Sequence, residues 1–187
     1  DSQVDRASKI INHMREFGRK SEVVKEKVQL NETLTRALEI FRQQLKLREI
    51  EVVMDLQPGL PSVMADSNRL EQVFINLLIN ARDAIEAKWW GNVDPKEKAK
   101  KIFLKTRSKD GMVVVEIADT GIGIPASIIN RIFEPFFTTK QVGKGTGLGL
   151  SISYGIVQDY DGTISVKSRE DKGSRFTIQF PDSGSDR

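Results

Sequence analysis

Cysteine is absent from the 187 residues, which excludes disulfides and thiolate metal sites. No apolar run reaches the roughly 18 residues that a membrane-spanning helix needs, and no secretory signal pattern opens the sequence. A large excess of charge of one sign is missing too. Lys and Arg number 29 against 26 Asp and Glu, spread along the chain, for a formal net charge of +3. That balance points to neither nucleic acid nor membrane, and no nucleic-acid partner is expected. There is one histidine, His13, and no internal repeat. What is present suits one folded domain with an extension: 39% hydrophobic and 29% charged residues can bury a core. The sequence opens at Asp1 inside a helical pattern, and the expectation is a piece of something longer.

Residues 4–20 read as a helix. Val4, Ala7, Ile11 and Met14 form a narrow seam, widened by Ile10 and Phe17, that calls for a partner helix. His13 falls off this seam and is expected to face solvent. Residues 22–29 connect, ending in a short strand through Val28 and Leu30. Residues 32–47 form an amphipathic helix with Leu34, Ala37, Leu38, Phe41 and Leu45 on one stripe and Asn31 as its N-cap. Residues 50–56 alternate as a strand, with Ile50, Val52, Met54 and Leu56 on one side, until Pro58-Gly59-Leu60-Pro61 stops it. Residues 88–100 read as a loop. Its Trp89 and Trp90 form a partner patch or, the preferred reading, fold onto the core. Two hairpins follow: residues 102–106 with 112–118, and 162–168 with 174–180 around Lys172-Gly173. Residues 182–187 read as a disordered tail.

Residues 66–87 are the most informative helix. At about 100° per residue, Leu70, Val73, Phe74, Leu77, Leu78, Ala81, Ala84 and Ile85 share one core-facing wedge. Gln72, Asn76, Asn80 and Asp83 gather at its flank. Asparagines are poor helix formers, and beside a core face their amides need partners. They are either ordinary polar flank residues or oxygen donors for a hard cation such as Mg²⁺.

The run over residues 112–118 is apolar and β-branched, as a buried strand requires. It delivers Asp119 to its end, followed by Thr-Gly121-Ile-Gly123-Ile124-Pro125. The glycines permit a turn and a close approach, so a ligand that donates a hydrogen bond could meet Asp119 there. An ordinary strand-ending turn has the same pattern. Further on, Gly143-Lys144-Gly145-Thr146-Gly147-Leu148-Gly149 runs into a helix over residues 148–159. Backbone N–H groups ahead of a helix make an anion site, and Lys140 and Lys144 add charge. The string is not a Walker loop, because Gly143-Lys144 is followed by Gly145. Nor is it a dinucleotide fingerprint, because the glycine spacing differs and no strand precedes it.

Taken in order, four motifs resemble those of two-component histidine kinases, whose ATP-binding domain shares its fold with gyrase and the MutL repair proteins. Asn76-Leu-Leu-Ile-Asn80-Ala-Arg-Asp83-Ala84 is similar to the N box and Asp119 to Gly123 to the G1 box. Phe133-Glu-Pro-Phe136-Phe137 is similar to the F box and Gly145 to Gly149 to the G2 box. The resemblance covers about residues 25–181. It implies an α+β fold: a two-layer α/β sandwich with a mixed sheet of about five strands against three helices, and an N-terminal helical stub. It implies that Asp119 accepts a hydrogen bond from the adenine amino group, with Gly121, Gly123 and Ile124 beside the base. Asn80 would ligate Mg²⁺ bridging the phosphates of ATP, with Asn76 and Asp83 near it. Phe133, Phe136 and Phe137 would pack the base of an ATP lid. Thr138, Thr139, Lys140, Lys144, Gly145, Thr146, Gly147, Leu148 and Gly149 would meet the phosphates. Asn76 and Lys140 are the catalytic candidates.

The resemblance implies a protein-histidine kinase that donates the γ-phosphoryl group to a histidine on a dimerisation domain, upstream of a response regulator. In gyrase-like relatives a glutamate stands at the position of Asn76 and activates water. An amide is no general base at neutral pH, so Asn76 suits phosphoryl transfer over hydrolysis. The family's acceptor histidine is followed by an acidic residue, whereas His13 is followed by Met14. Residues 1–22 therefore resemble the end of the dimerisation hairpin's second helix, residues 23–181 the catalytic domain, and the fragment is expected inactive in autophosphorylation. The domain is expected in the cytoplasm, in a homodimeric parent that is membrane-anchored in one reading. An anti-sigma-type serine kinase and a non-enzymatic ATP-gated interaction module are the alternatives on the same fold.

Overall fold

Strand alternation dictates the sheet. In β5 (Met112–Asp119), Val113, Val115 and Ile117 face inward and are buried, while Val114, Glu116 and Ala118 face outward. The neighbouring β4 (Lys101–Lys109) buries Ile102, Leu104 and Thr106 the same way. The two strands meet in a hairpin whose turn residues Asp110 and Gly111 both take positive φ, which matches the twist of antiparallel strands. A second hairpin joins β6 (Thr163–Arg169) to β7 (Gly173–Pro181). Strand β2 (Glu51–Leu56) lies parallel to β4 and completes a five-stranded mixed sheet of order β2-β4-β5-β7-β6. The computed structural model describes residues 25–89, 100–140 and 145–184. The readings for residues 1–22, for His13, for Trp90 and the loop behind it, for Lys144 and for residues 185–187 lie outside these.

Among the described residues three helices supply the second layer: α1 (Leu30–Leu47), α2 (Ser67–Trp89) and α3 (Gly149–Asp159). The apolar wedge read from sequence is the buried face of α2, with Leu70, Val73, Phe74, Leu77, Leu78, Ala81 and Ile85 inside. Ala84 lies at its half-buried margin. Asp66 caps this helix, its Oδ1 accepting the N–H groups of Asn68 at 2.8 Å and Arg69 at 3.3 Å. The sandwich of five strands and three helices is the one expected.

Local expectations give way in five places. Lys88 and Trp89, read as the start of a loop, close α2. Asn31 is not an N-cap. Helix α1 begins at Leu30 behind Gln29, whose side chain makes no cap bond. Asn31 instead reaches the sheet: its Nδ2 donates to the Gln57 carbonyl at 2.9 Å and its Oδ1 accepts from Thr106 Oγ1 at 2.8 Å. Leu30 therefore belongs to the helix, and the short strand β1 (Glu26–Val28) pairs with β3 (Val63–Ala65), a three-residue strand without a sequence signal. Ile50 precedes β2 and does not open it. Finally, Asp182 and Ser183 are not a free tail. Their backbone N–H groups donate to Gly111 and Ser62 carbonyls at 2.9 and 2.8 Å.

Candidate functional site

The period of β5 decides the environment of Asp119. An odd-numbered residue in this strand points inward with Val113, Val115 and Ile117, so the carboxyl group faces the helices. Asp119 is 8% exposed. Burial pushes its carboxyl up from 3.8 to about 6, while N–H bonds from Gly121 and Ser174 and the charge of Lys88 pull the other way. The Gly121 N–H lies 2.7 Å from Oδ1.

The loop after Asp119 is pinned to α2. The Ile122 N–H donates to the Ala84 carbonyl at 3.1 Å. A Cβ on Gly121 would stand 2.5 Å from the Ala84 carbonyl carbon, so only glycine allows this approach. Gly123 lies against the Arg169 main chain, and the Ile124 N–H donates to Ser168 Oγ at 2.7 Å. Asp119 thus sits beside the turn of α2 that carries Asp83.

On that helix, Asn76, Asn80 and Asp83 are half-buried and line one flank, as their spacing predicts. Their uses differ. Asn76 Nδ2 donates to the Gly149 carbonyl at 3.2 Å and to Ser153 Oγ at 3.3 Å, tying α2 to the start of α3. Asn80 Oδ1 accepts from Lys140 Nζ at 3.3 Å. Asp83 Oδ2 takes the same ammonium at 2.6 Å, while Arg82 holds Oδ1 through Nε at 2.9 Å and Nη2 at 2.6 Å. A primary ammonium therefore sits against an amide oxygen and a carboxylate at the flank.

The glycine string crosses the same flank. Gly147 has φ +69, and a Cβ there would overlap the Phe136 main chain, so the phenylalanine and glycine segments pack backbone on backbone. Gly145 sits beside Thr138 and Lys140. Thr138 Oγ1 accepts the Lys140 N–H at 3.1 Å, and Thr146 Oγ1 accepts the Leu148 N–H at 3.4 Å. Leu148 is buried, and Thr139 is exposed. Helix α3 starts at Gly149, whose first-turn N–H groups have no intrahelical acceptor. Phe133 packs on Tyr154 with ring centroids 5.6 Å apart, and Phe137 lies under Arg131 at 4.7 Å. Phe136 does not pack with them. It takes φ +65 and is 60% exposed, because Gly147 occupies its main-chain side.

Four site residues escaped sequence reading. Lys88 Nζ donates to the Asp171 carbonyl at 2.8 Å and the Thr120 carbonyl at 3.4 Å, anchoring the turns around Asp119. Ser168 Oγ holds the Ile124 N–H and donates to the Gly173 carbonyl. Arg82 grips Asp83, and Ser153 receives Asn76. Only Arg82 carried a signal, its adjacency to Asp83. Among the described residues no cluster of three or more His, Cys, Asp or Glu could hold a metal, and no helix is long and apolar enough to cross a membrane.

Residues 65–184 match the family described as Histidine kinase-, DNA gyrase B-, and HSP90-like ATPase. The sensor kinase CckA of Brucella abortus (strain 2308) is 38% identical over 183 residues, 95% of this chain and 19% of that protein. The chain spans between 19% and 37% of the length of the first curated sensor kinases it matches. Among solved structures, the nucleotide-free catalytic domain of histidine kinase ThkA is 31% identical with a TM-score of 0.70, over 84% of this chain and 95% of that one. ThkA in complex with response regulator protein TrrA gives a TM-score of 0.75 at 26% identity, over 99% of this chain and 50% of that one. Full-length ShkA in complex with AMPPNP gives 0.76 at 26%, over 92% and 34%. The family match runs over most of the described residues, and the ThkA catalytic domain is covered almost end to end. The chain therefore belongs to the histidine kinase-, DNA gyrase B- and HSP90-like ATPases, and it carries the ATP-binding catalytic domain of a sensor histidine kinase.

Proposed function

We propose that this chain binds ATP with Mg²⁺ and presents the γ-phosphoryl group to a histidine on a dimerisation domain of its parent, which then serves a response regulator. One observation carries the nucleotide reading. The Ile122–Ala84 bond fixes a buried carboxylate, Asp119, next to a helix flank that already receives a cation from Lys140. Asp119 would accept the adenine amino group, with Gly121, Gly123 and Ile124 around the base. Gly145, Thr146, Gly147, Leu148 and Gly149, with Thr138, Thr139, Lys140 and Lys144, would meet the phosphates. AMPPNP in the related ShkA supports a nucleotide there.

The donor set fits Mg²⁺. Asn80 Oδ1 already accepts from an ammonium, and Mg²⁺ takes few protein oxygens because phosphates and water complete its shell. Asn80 would hold it, with Asp83 close by. When bound, the ion would neutralise charge on the phosphates. Asn76 would act as a positioning residue, since its amide joins α2 to the start of α3 and offers no base for water. Residues 1–22 would be the end of a dimerisation helix, the parent a homodimer, and its catalytic domain cytoplasmic.

Titration of ADP with and without Mg²⁺, followed by transfer from labelled ATP to a supplied dimerisation domain, tests both halves. Binding without transfer would leave an ATP-gated module. Absence of binding would sink the reading.

A further inference from the structure

The far edge of the sheet holds a groove that the nucleotide reading does not use. Leu38, Arg42, Leu45 and Lys46 of α1 form one wall, and Ile50, Val52 and Met54 the other, enclosing about 240 Å³. Val52 and Met54 belong to β2, which among the described residues pairs only with β4. The Glu51 N–H donates to the Lys100 carbonyl at 2.9 Å, so odd-numbered residues of β2 face β4. By strand alternation, Val52, Met54 and Leu56 turn their N–H and C=O groups to the open side. Among the described residues nothing outside the sheet bonds them. An unpaired edge without proline or an inward charge is a template for another strand.

Charge selects the occupant. The groove wall carries two cations and no anion. Among the described residues Arg42 is tied only to Glu39, in an exposed i,i+3 pair, and Lys46 has no ion pair. The acids of β2, Glu51 and Asp55, lie on the opposite face and pair there with Lys101, Lys105 and Arg107. The geometry points to β2 and α1 as the docking site for an extended, acidic peptide segment of a partner protein, added as a sixth strand. Apolar side chains of that segment fill the space over Val52 and Met54, and a carboxylate meets Arg42 and Lys46. Main-chain bonds supply affinity in this mode, and the groove supplies selectivity. It stands apart from the nucleotide site.

The test uses the full ¹⁵N-labelled chain and three acetylated heptapeptides. One alternates valine with threonine and has a glutamate at one groove-side position. The second has lysine there, and the third has a central proline. The first should bind and slow amide exchange at Val52, Met54 and Leu56. The lysine peptide should bind at least tenfold more weakly, and the proline peptide should give no protection. The double variant Arg42→Glu, Lys46→Glu should reverse the charge preference, with thermal melts reporting its folding. ADP affinity should not change. No protection at millimolar peptide overturns the inference, as does equal binding of the glutamate and lysine peptides to the unmodified chain. Slow exchange at these amides before any peptide is added also overturns it, because the edge would then be covered by the chain itself or a second copy.

Discussion

Asp119 carries a cost that the fold does not need. Its carboxyl titrates near 6 in the fold against 3.8 unfolded, because burial opposes the charge. Between those values the folded state binds more protons. The group therefore favours folding most below about pH 3.8, and this contribution is lost as pH rises through about 6. At neutral pH the buried charge costs the fold on the order of 3 kcal/mol. Asp119→Asn should accordingly raise the melting temperature of the nucleotide-free chain at pH 7.5, with the gain shrinking toward pH 4. The same variant should weaken ADP binding about 10- to 150-fold, the cost of a hydrogen bond to a charged group. In the unaltered chain ADP affinity should fall as pH drops below about 6, and more steeply than in the variant, where only protonation of the ADP phosphate remains. Calorimetry and melts across pH test this, and a variant that melts lower and binds equally well contradicts it. For Asn80→Ala, the affinity gained on adding Mg²⁺ should disappear, while metal-free ADP binding changes little. If the variant keeps the gain, another residue holds the metal.

The elements matter through how they are held together. Helix α2 was legible because a 23-residue amphipathic segment repeats its signal many times, and its polar flank fell out of the same wheel. The five main strands were legible from alternation and from turn residues. Asn31 was misread because a short polar residue at a helix start serves equally as a cap or as a bridge, and only the position of Thr106, 75 residues away, decides. Strand β3 has three residues, too few to show a period. The candidate site was legible as motifs, but not its wiring. Lys140 and Asp83 are 57 residues apart, and nothing in either segment announces their contact. Phe136 read like Phe133 and Phe137, and only the close approach of Gly147 separates it from them. The join between elements can be tested at Gly121. Gly121→Ala should force β5 and α2 apart, lowering stability by about 1–3 kcal/mol as overpacking does. Because α2 carries Asn80 and β5 carries Asp119, ADP affinity should fall as well, although Gly121 has no side chain to contact a ligand. Melts with calorimetry decide it. Unchanged values in both would mean that the Gly121 contact can relax freely.

At the scale of the molecule, Asp119 and the glycine string from Gly145 to Gly149 sit on one sandwich, whereas phosphoryl transfer needs a partner held in line with it. Positioning supplies most of the catalysis in such reactions. The chain's sole histidine, His13, lacks the acidic neighbour that would orient and activate an imidazole. Water is no better served. The amide of Asn76 is no general base for water, and it is already engaged by Gly149 and Ser153. The chain alone should therefore bind ATP, hydrolyse it slowly and leave His13 unmodified. Incubation with labelled ATP, followed by acid and base treatment, separates histidine phosphate, which is acid-labile and base-stable, from other products. Adding a dimerisation domain whose histidine is followed by an acidic residue should restore labelling on that domain. Labelling of His13 at a rate comparable to the supplied domain's would show that an acidic neighbour and a paired hairpin are not what limits transfer. Residues 1–22 would then have to be read as an acceptor helix.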